Sequence, residues 1–446
     1  MTSTTHAPIT VVGGGVAGLT AAALLGHAGV PVVLLEKAAA PGGRAITGNR
    51  HGFSFNLGPH ALYRDGVLHH TLKSLGVAVR GSVPNGNGGY ALLGGRRHTL
   101  PTGLASLLTT GLLPFSGKFE LARFQARLGR FDSAAAQRDT LRSWLDSNVS
   151  EPMVQQLVMM LTRVTTFTHD PDHQSAGAAL EQLQLAVRGN VLYLDGGWQT
   201  IVDALRDAAV ASGVRIVADA HAAALERDSD RQVDAVRLAD GRVIRTSGVI
   251  IATAPSDVDG LAGTQLAAAL PPPIRMATLD VALRSLPNPR ATVAFGVDAP
   301  VYFSVHSAVA KLAPQGGAMI HVSKYLRPGE TAGRGDEIEL ETLMDTLQPD
   351  WRDQLVLQRF LPSLTVAHAE VTAAQGGVAG RPPTPVPAFD NVWIAGDWVG
   401  AKGQLSDAAA ASATDAVHSI LAAVTPIAVS DTPALVTHRP AVRAAS

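Results

Sequence analysis

Hydrophobic positions along the chain fall into two rhythms. Residues 9–12 and 30–35 are short, continuous, β-branched runs, the pattern of strands buried on both faces, with a small-residue helix between them. The rhythm returns at 191–253. There a loop at the start leads into an amphipathic helix over 198–212 and a strand over 214–217. A hairpin turning at Asp240-Gly241 follows, then a buried strand from Gly248 that runs into a Pro-containing turn. It returns a last time as a strand over 392–395, a Gly-containing loop and an Ala-rich helix from about Leu405. The intervening blocks read differently. Helical spacing marks 117–131, 141–148, 152–162 and 175–187. Strand-like runs occur at 276–283, 291–297, 301–305, 318–322 and 355–360, with a helix over 337–346. Beyond Val424 no periodicity survives, and the tail 425–446 is expected to lack fixed structure.

The first βαβ stretch carries chemistry. Gly13, Gly15 and Gly18 stand in G-x-G-x-x-G spacing between a strand and a helix, and Glu36 ends the second strand 18 residues past Gly18. Gly13 permits the tight turn, Gly15 lets the backbone approach a pyrophosphate, and Gly18 lets the helix pack close to the sheet. Val16 and Ala17 open the helix, whose N–H groups and positive dipole end suit phosphate. A carboxylate at Glu36, followed by Lys37, accepts hydrogen bonds from an adenosine ribose with a free 2′-OH, so FAD or NAD is favoured over NADP. Gly42-Gly43-Arg44 lets the chain pass the cofactor, with Arg44 as a charge partner for phosphate. Gly58-Pro59-His60 forms a further turn suited to a flat ring.

Together these motifs resemble the flavoprotein family of phytoene desaturases, protoporphyrinogen oxidase and monoamine oxidases. That family combines the glycine fingerprint, the acid, a G-G-R and a later G-x-x-x-D-x-G-P element; here Asn56 stands where Asp is frequent. The resemblance implies that the Asp of Ala395-Gly396-Asp397 holds the ribityl or phosphate portion of FAD, and that the backbone near Ala222 lies on the adenine. Gln404 and Leu405, at the start of the last helix, complete the expected cofactor set. The form GDW…GQLSDAAAASA is closest in style to the phytoene-desaturase-like branch. The expected fold is an α/β protein: a three-layer, Rossmann-like FAD-binding domain from 1–63, 191–262 and 386–424, interleaved with an α+β substrate domain from 64–190 and 263–385.

Composition narrows the rest. With 36 basic and 37 acidic residues, the formal charge of −1 leaves no nucleic-acid footprint. The chain has no cysteine, which excludes disulfides, thiolate metal sites and a cysteinyl-linked flavin, so the FAD is expected to be non-covalent. No metal motif is present, and His69-His70 reads as a solvated loop or helix start. The first eight residues lack a basic signal-peptide start, so a cytoplasmic location is expected. The apolar run 104–115 reads as buried in a helical subdomain, in preference to a membrane-touching or tunnel-lining segment, because no basic cluster flanks it.

Hydride transfer to a flavin needs no protein nucleophile. His60 and Trp398 are the candidate neighbours of the ring, and Lys402 a candidate charge or base, although a lone Lys in a Gly loop is ordinarily solvated. Phe303, His306, His321 and Tyr325 could face a substrate, but the aromatics are read first as core and the histidines as surface. Three activities stay open: dehydrogenation or desaturation of a small apolar substrate, an oxidase for amines or a porphyrinogen-type ring that makes hydrogen peroxide, and a redox-neutral isomerase. The electron acceptor (oxygen, quinone or another) is not specified.

Overall fold

The computed structural model describes residues 7–84, 89–101 and 103–424; the tail expected to lack structure lies outside them. The continuous apolar runs form a five-stranded parallel sheet in the order Arg215–Val217, Val32–Leu35, Ile9–Val12, Gly248–Ile251, Val392–Ile394. Parallel strands need crossovers, and the faces those crossovers cover explain why no polar alternation appears. Ile9, Val11, Val32 and Leu34 pack under the helices Val16–His27, Gln199–Ala211 and Leu405–Val424. Val12, Val33, Leu35 and Ile251 pack on the other face, against the meander Ala222–Arg227, Val233–Leu238, Val243–Arg245. Helix, sheet and meander make the three expected layers. Ala21, Ala22 and Ala23 are buried, which lets Val16–His27 sit between the sheet and the last helix.

A seven-stranded sheet forms the second body, in the order Leu355–Ala367, Ile274–Leu283, Ala318–Tyr325, Val301–Val305, Val293–Gly296, Gly89–Leu93, Arg96–Thr99. It is antiparallel except where Val293–Gly296 runs parallel to Gly89–Leu93. Leu279, Val281, Ile320 and Val322 point to the helix Arg334–Leu347, and the opposite face looks toward the parallel sheet. The helices Phe115–Leu128, Leu141–Asn148, Pro152–Thr166 and Ala176–Gly189 share one core at its end.

Two expectations change. Val191–Leu194, read as a loop, is a strand that pairs with Leu62–Tyr63 and Gly81–Ser82 and so joins the two bodies. The run 104–115 is buried only in part. Leu107, Leu112 and Leu113 enter the core, while Leu108 and Phe115 are exposed because the helix Leu104–Thr109 ends before Pro114 and the next begins at Phe115. His69 sits at a helix start as expected, buried, with Nδ1 2.6 Å from the Arg64 carbonyl. Among the described residues no cluster has the make-up of a metal site, and no helix is long and apolar enough to cross a membrane.

Candidate cofactor and substrate site

The carboxyl ends of the parallel strands open on a cavity of about 830 Å³ that extends to the seven-stranded sheet. Gly13, at φ 103°, makes the turn out of the first strand, in a conformation that L side chains avoid. A Cβ on Gly18 would lie 1.9 Å from the Gly13 carbonyl oxygen, so Gly18 serves helix–strand packing and does not itself line the cavity. A Cβ on Gly15 would meet nothing within 4 Å. Gly15 lines the cavity as the N-cap of Val16–His27, and no side chain caps that helix. Its first N–H groups, which no intrahelical carbonyl can reach, therefore remain for a ligand near Val16 and Ala17.

Glu36 is buried and fixed. It accepts from the Gly14 N–H at 2.7 Å and the Ala38 N–H at 2.8 Å, which orients the carboxylate while leaving lone pairs on both oxygens. Lys37 and Ala222 line the same end of the cavity, together with His221, Thr253 and Asp257, which the sequence did not single out. At the other end Gly43, Arg44, Pro59, His60, Gly396, Asp397 and Leu405 line it. Leu405 holds a left-handed φ of 55°, uncommon for a branched residue, where the chain turns into the last helix.

Asp397 anchors this end. Arg44 Nη1 donates to it at 2.9 Å, and the His368 backbone N–H and ring Nδ1 lie at 3.1 and 3.0 Å. Burial alone would raise its carboxyl, but the Arg44 charge and the His368 contact outweigh burial and hold it well below the usual carboxylate range. Arg44, expected to pair with phosphate, is thus committed to Asp397 and to the Val366 carbonyl at 2.7 Å. His368 was not visible as a candidate; it follows a long strand with no motif around it.

His60 lines the cavity. Its Nδ1 lies 3.1 Å from the Gly58 carbonyl, so the ring donates from Nδ1 and keeps Nε2 as an acceptor. Burial, reinforced by His321 and Arg44, lowers its pKa to about 4. Gly58 does not line the cavity; at φ 74° it holds the turn, and a Cβ there would lie 2.7 Å from Leu364 Cδ2. Three candidates point elsewhere. Trp398 is fully buried in the core behind the loop, with Nε1 on the Thr253 carbonyl. Lys402 is exposed and pairs with Asp415 at 3.3 Å. Gln404 donates its amide to the Ala178 carbonyl at 2.7 Å, fixing the loop to a helix of the other body. Asn56 stands in for the frequent Asp without loss, because one oxygen suffices: Oδ1 accepts from Thr47 Oγ1 at 2.6 Å and the Trp198 N–H at 3.0 Å.

A glycine cradle, an open helix start, an anchored ribose-type acid and a buried aspartate around one cavity form a donor set that fits a flavin dinucleotide. Residues 16–282 match the family model of flavin containing amine oxidoreductases. The chain belongs to that family. Among curated relatives, a zeta-carotene-forming phytoene desaturase of Myxococcus xanthus is 42% identical over 74 residues, 17% of this chain and 14% of that protein. A coproporphyrinogen III oxidase of Propionibacterium freudenreichii is 33% identical over 113 residues, 25% of this chain and 21% of that protein. The chain thus aligns with about a fifth or less of the length of these relatives. An oxidoreductase from Methanosarcina mazei shares the fold of this flavin amine oxidoreductase family member, with TM-score 0.71 at 17% identity over 92% of this chain and all of that one.

Proposed function

We propose that the protein binds FAD non-covalently and dehydrogenates a small apolar substrate. The observation that carries this reading is the charge balance of the cavity wall. Its three lining carboxylates are all engaged: Glu36 by two backbone amides, Asp397 by Arg44 and His368, and Asp257 by Lys37 at 3.6 Å. None is left to receive a substrate ammonium, which would need an unspent carboxylate once out of water. From the seven-stranded sheet and the helical block, the wall presents Phe167, Met276, Leu364 and Val366, a surface suited to a hydrocarbon. The likeness to a phytoene desaturase over 74 residues supports the same reading.

Gly13, Gly15, Val16 and Ala17 would take the pyrophosphate, Glu36 the adenosine ribose, Ala222 the adenine, and Asp397 the ribityl–phosphate portion. When bound, a flavin supplies a hydride acceptor. The chain's own contribution is to exclude water, orient the substrate on the apolar wall, and offer at His60 an uncharged acceptor. We further read the parallel sheet and its meander as the FAD-binding domain, and the seven-stranded sheet with the helices as the substrate domain. The likeness to a coproporphyrinogen oxidase favours one rival, an oxidase. A substrate screen with and without oxygen separates the two. Turnover of an apolar alkene only with an added acceptor supports the proposal; peroxide release from a porphyrinogen or an amine overturns it.

A further inference from the structure

One rung of the seven-stranded sheet holds four polar residues side by side. Register aligns Arg359 with Asp280, Asp280 with His321, and His321 with Ser304. Asp280 and His321 are completely buried, with His321 Nδ1 2.6 Å from Asp280 Oδ1, and Arg359 closes on the other carboxylate oxygen. The His306 ring meets the His321 ring edge-on, centroids 4.6 Å apart, and stacks on Tyr193 at 3.9 Å. Tyr302 Oη lies 3.5 Å from His306 Nε2 and 3.2 Å from Tyr193 Oη. Among the described residues, His306 Nδ1 and His321 Nε2 are buried without a hydrogen-bond partner. Two orphaned nitrogens on touching imidazoles need an explanation.

One arrangement of protons accounts for every group. His321 must donate from Nδ1 to Asp280, which leaves Nε2 as an acceptor. If His306 carries its proton on Nδ1, it supplies, in the ring that touches His321, the kind of donor that Nε2 lacks. His306 Nε2 then accepts from Tyr302, and Tyr302 accepts from Tyr193. The tyrosines do not line the cavity themselves but pack behind its wall: Tyr193 shares a cluster with the lining residue Ala61, and Tyr302 with Met276, Phe167 and Leu364.

We propose that Tyr193, Tyr302, His306, His321 and Asp280 form a buried proton wire that drains the cavity toward Arg359. A dehydrogenation, on which this role rests, releases a proton beside the hydride, into a cavity whose carboxylates are already engaged. The proton binds the Tyr193 hydroxyl oxygen, and the Tyr193 proton passes to Tyr302. The Tyr302 proton then passes to His306 Nε2, and the His306 Nδ1 proton to His321 Nε2. At each link one O–H or N–H bond forms and one breaks, and no electrons move within the wire. His321 ends as an imidazolium whose charge Asp280 balances. Burial keeps the links neutral at rest: it raises both tyrosine hydroxyls and drives the His306 imidazole well below its usual range.

The test begins with histidine tautomers, read by nitrogen NMR on the full chain labelled with 15N-histidine, with His306→Asn and His321→Asn to assign the signals. Both rings are expected neutral with the proton on Nδ1; an Nε2–H tautomer at His306 overturns the wire whatever the substrate. Tyr302→Phe then removes one hydroxyl and keeps the ring. Substrate-driven flavin reduction should slow about 100-fold, within the range of a lost proton-transfer group, at unchanged KM and with reduction by dithionite unaffected. Reduction at the wild-type rate overturns the wire. If no apolar substrate reduces the flavin while the tautomers are as expected, the dehydrogenation reading fails and the hydrogen-bonded chain stands.

Discussion

Gly15 and Gly18 should respond in opposite ways to the same added methyl group, a contrast that separates folding from cofactor binding. In Gly18→Ala the new Cβ falls 1.9 Å from the Gly13 carbonyl oxygen, 3.1 Å from its carbon and 3.3 Å from Ala252 Cβ. The two nearest atoms are Gly13 backbone in the turn after the first strand, so relief needs the helix to move about 1 Å from a close-packed sheet. Overpacking of this kind costs about 1–3 kcal/mol, and the helix propensity of alanine returns at most about 1 kcal/mol. With a backbone oxygen as the obstacle, a net loss of about 1–2 kcal/mol is expected. In Gly15→Ala the backbone sits at φ −76°, ψ −176°, open to any residue, and nothing lies within 4 Å of the new atom. Loss of a glycine N-cap and gain from a stiffer unfolded chain nearly cancel, within about 1 kcal/mol. The methyl instead occupies the place where a pyrophosphate would approach, so FAD affinity should fall at least about tenfold, or about 1.4 kcal/mol. Thermal unfolding of the apoprotein and fluorescence titration with FAD measure the two effects. The reasoning is refuted if Gly18→Ala unfolds with the wild-type midpoint, or if Gly15→Ala binds FAD as wild type does.

Other perturbations probe the surroundings. Glu370 is buried, and burial, with Asp170 adding, raises its carboxyl to about 8. Because the folded-state value lies above the unfolded one, the stability it contributes is complete below pH 4.5 and is lost as pH rises toward 8, about 3 kcal/mol by pH 7. Glu370→Gln should flatten that slope in urea melts across pH 4.5–8; an unchanged slope counts against a buried, protonated Glu370. Arg44→Ala leaves Asp397 buried with His368 alone. Since the Arg44 side chain is 37% exposed, the loss should be about 1–3 kcal/mol in denaturant unfolding, with weaker FAD binding; a wild-type midpoint would show that the pair holds nothing together. Lys402→Ala should change neither FAD affinity nor turnover, and a tenfold loss in either would return Lys402 to the site.

The residues at the end of the cavity proposed for the cofactor could be picked out in the sequence because their determinants are local. Gly13, Gly15, Gly18 and Glu36 act through spacing inside one βαβ unit, and Gly396-Asp397 through its place between a strand and a helix. Trp398 and Lys402 misled for the same reason: adjacency to Asp397 fixes their position in the chain and not their direction. Trp398 turns behind the loop into the core, and Lys402 turns to Asp415 in solvent. Gln404, expected to bind the cofactor, does not line the cavity; its amide is spent on Ala178. The substrate wall could not be read in advance. Phe167, Met276 and the pair Leu364 and His368 come from three separate stretches, and the long-range register of the seven-stranded sheet brings the last two together. His306 and His321, expected at the surface, lie instead in the core, because their polar partners are supplied by neighbouring strands and not by solvent. Only the cross-strand pairing of His321 with Asp280 shows that this core is polar and connected.

The most direct measurement is the visible spectrum of the purified protein, taken before and after acid precipitation and then during anaerobic addition of an apolar alkene. A flavin spectrum that moves into the supernatant on precipitation, and that bleaches in the intact protein on addition of the alkene and not of an amine, is the predicted result. A colourless protein that takes up no added FAD, or a flavin that an amine bleaches and the alkene does not, would contradict the account.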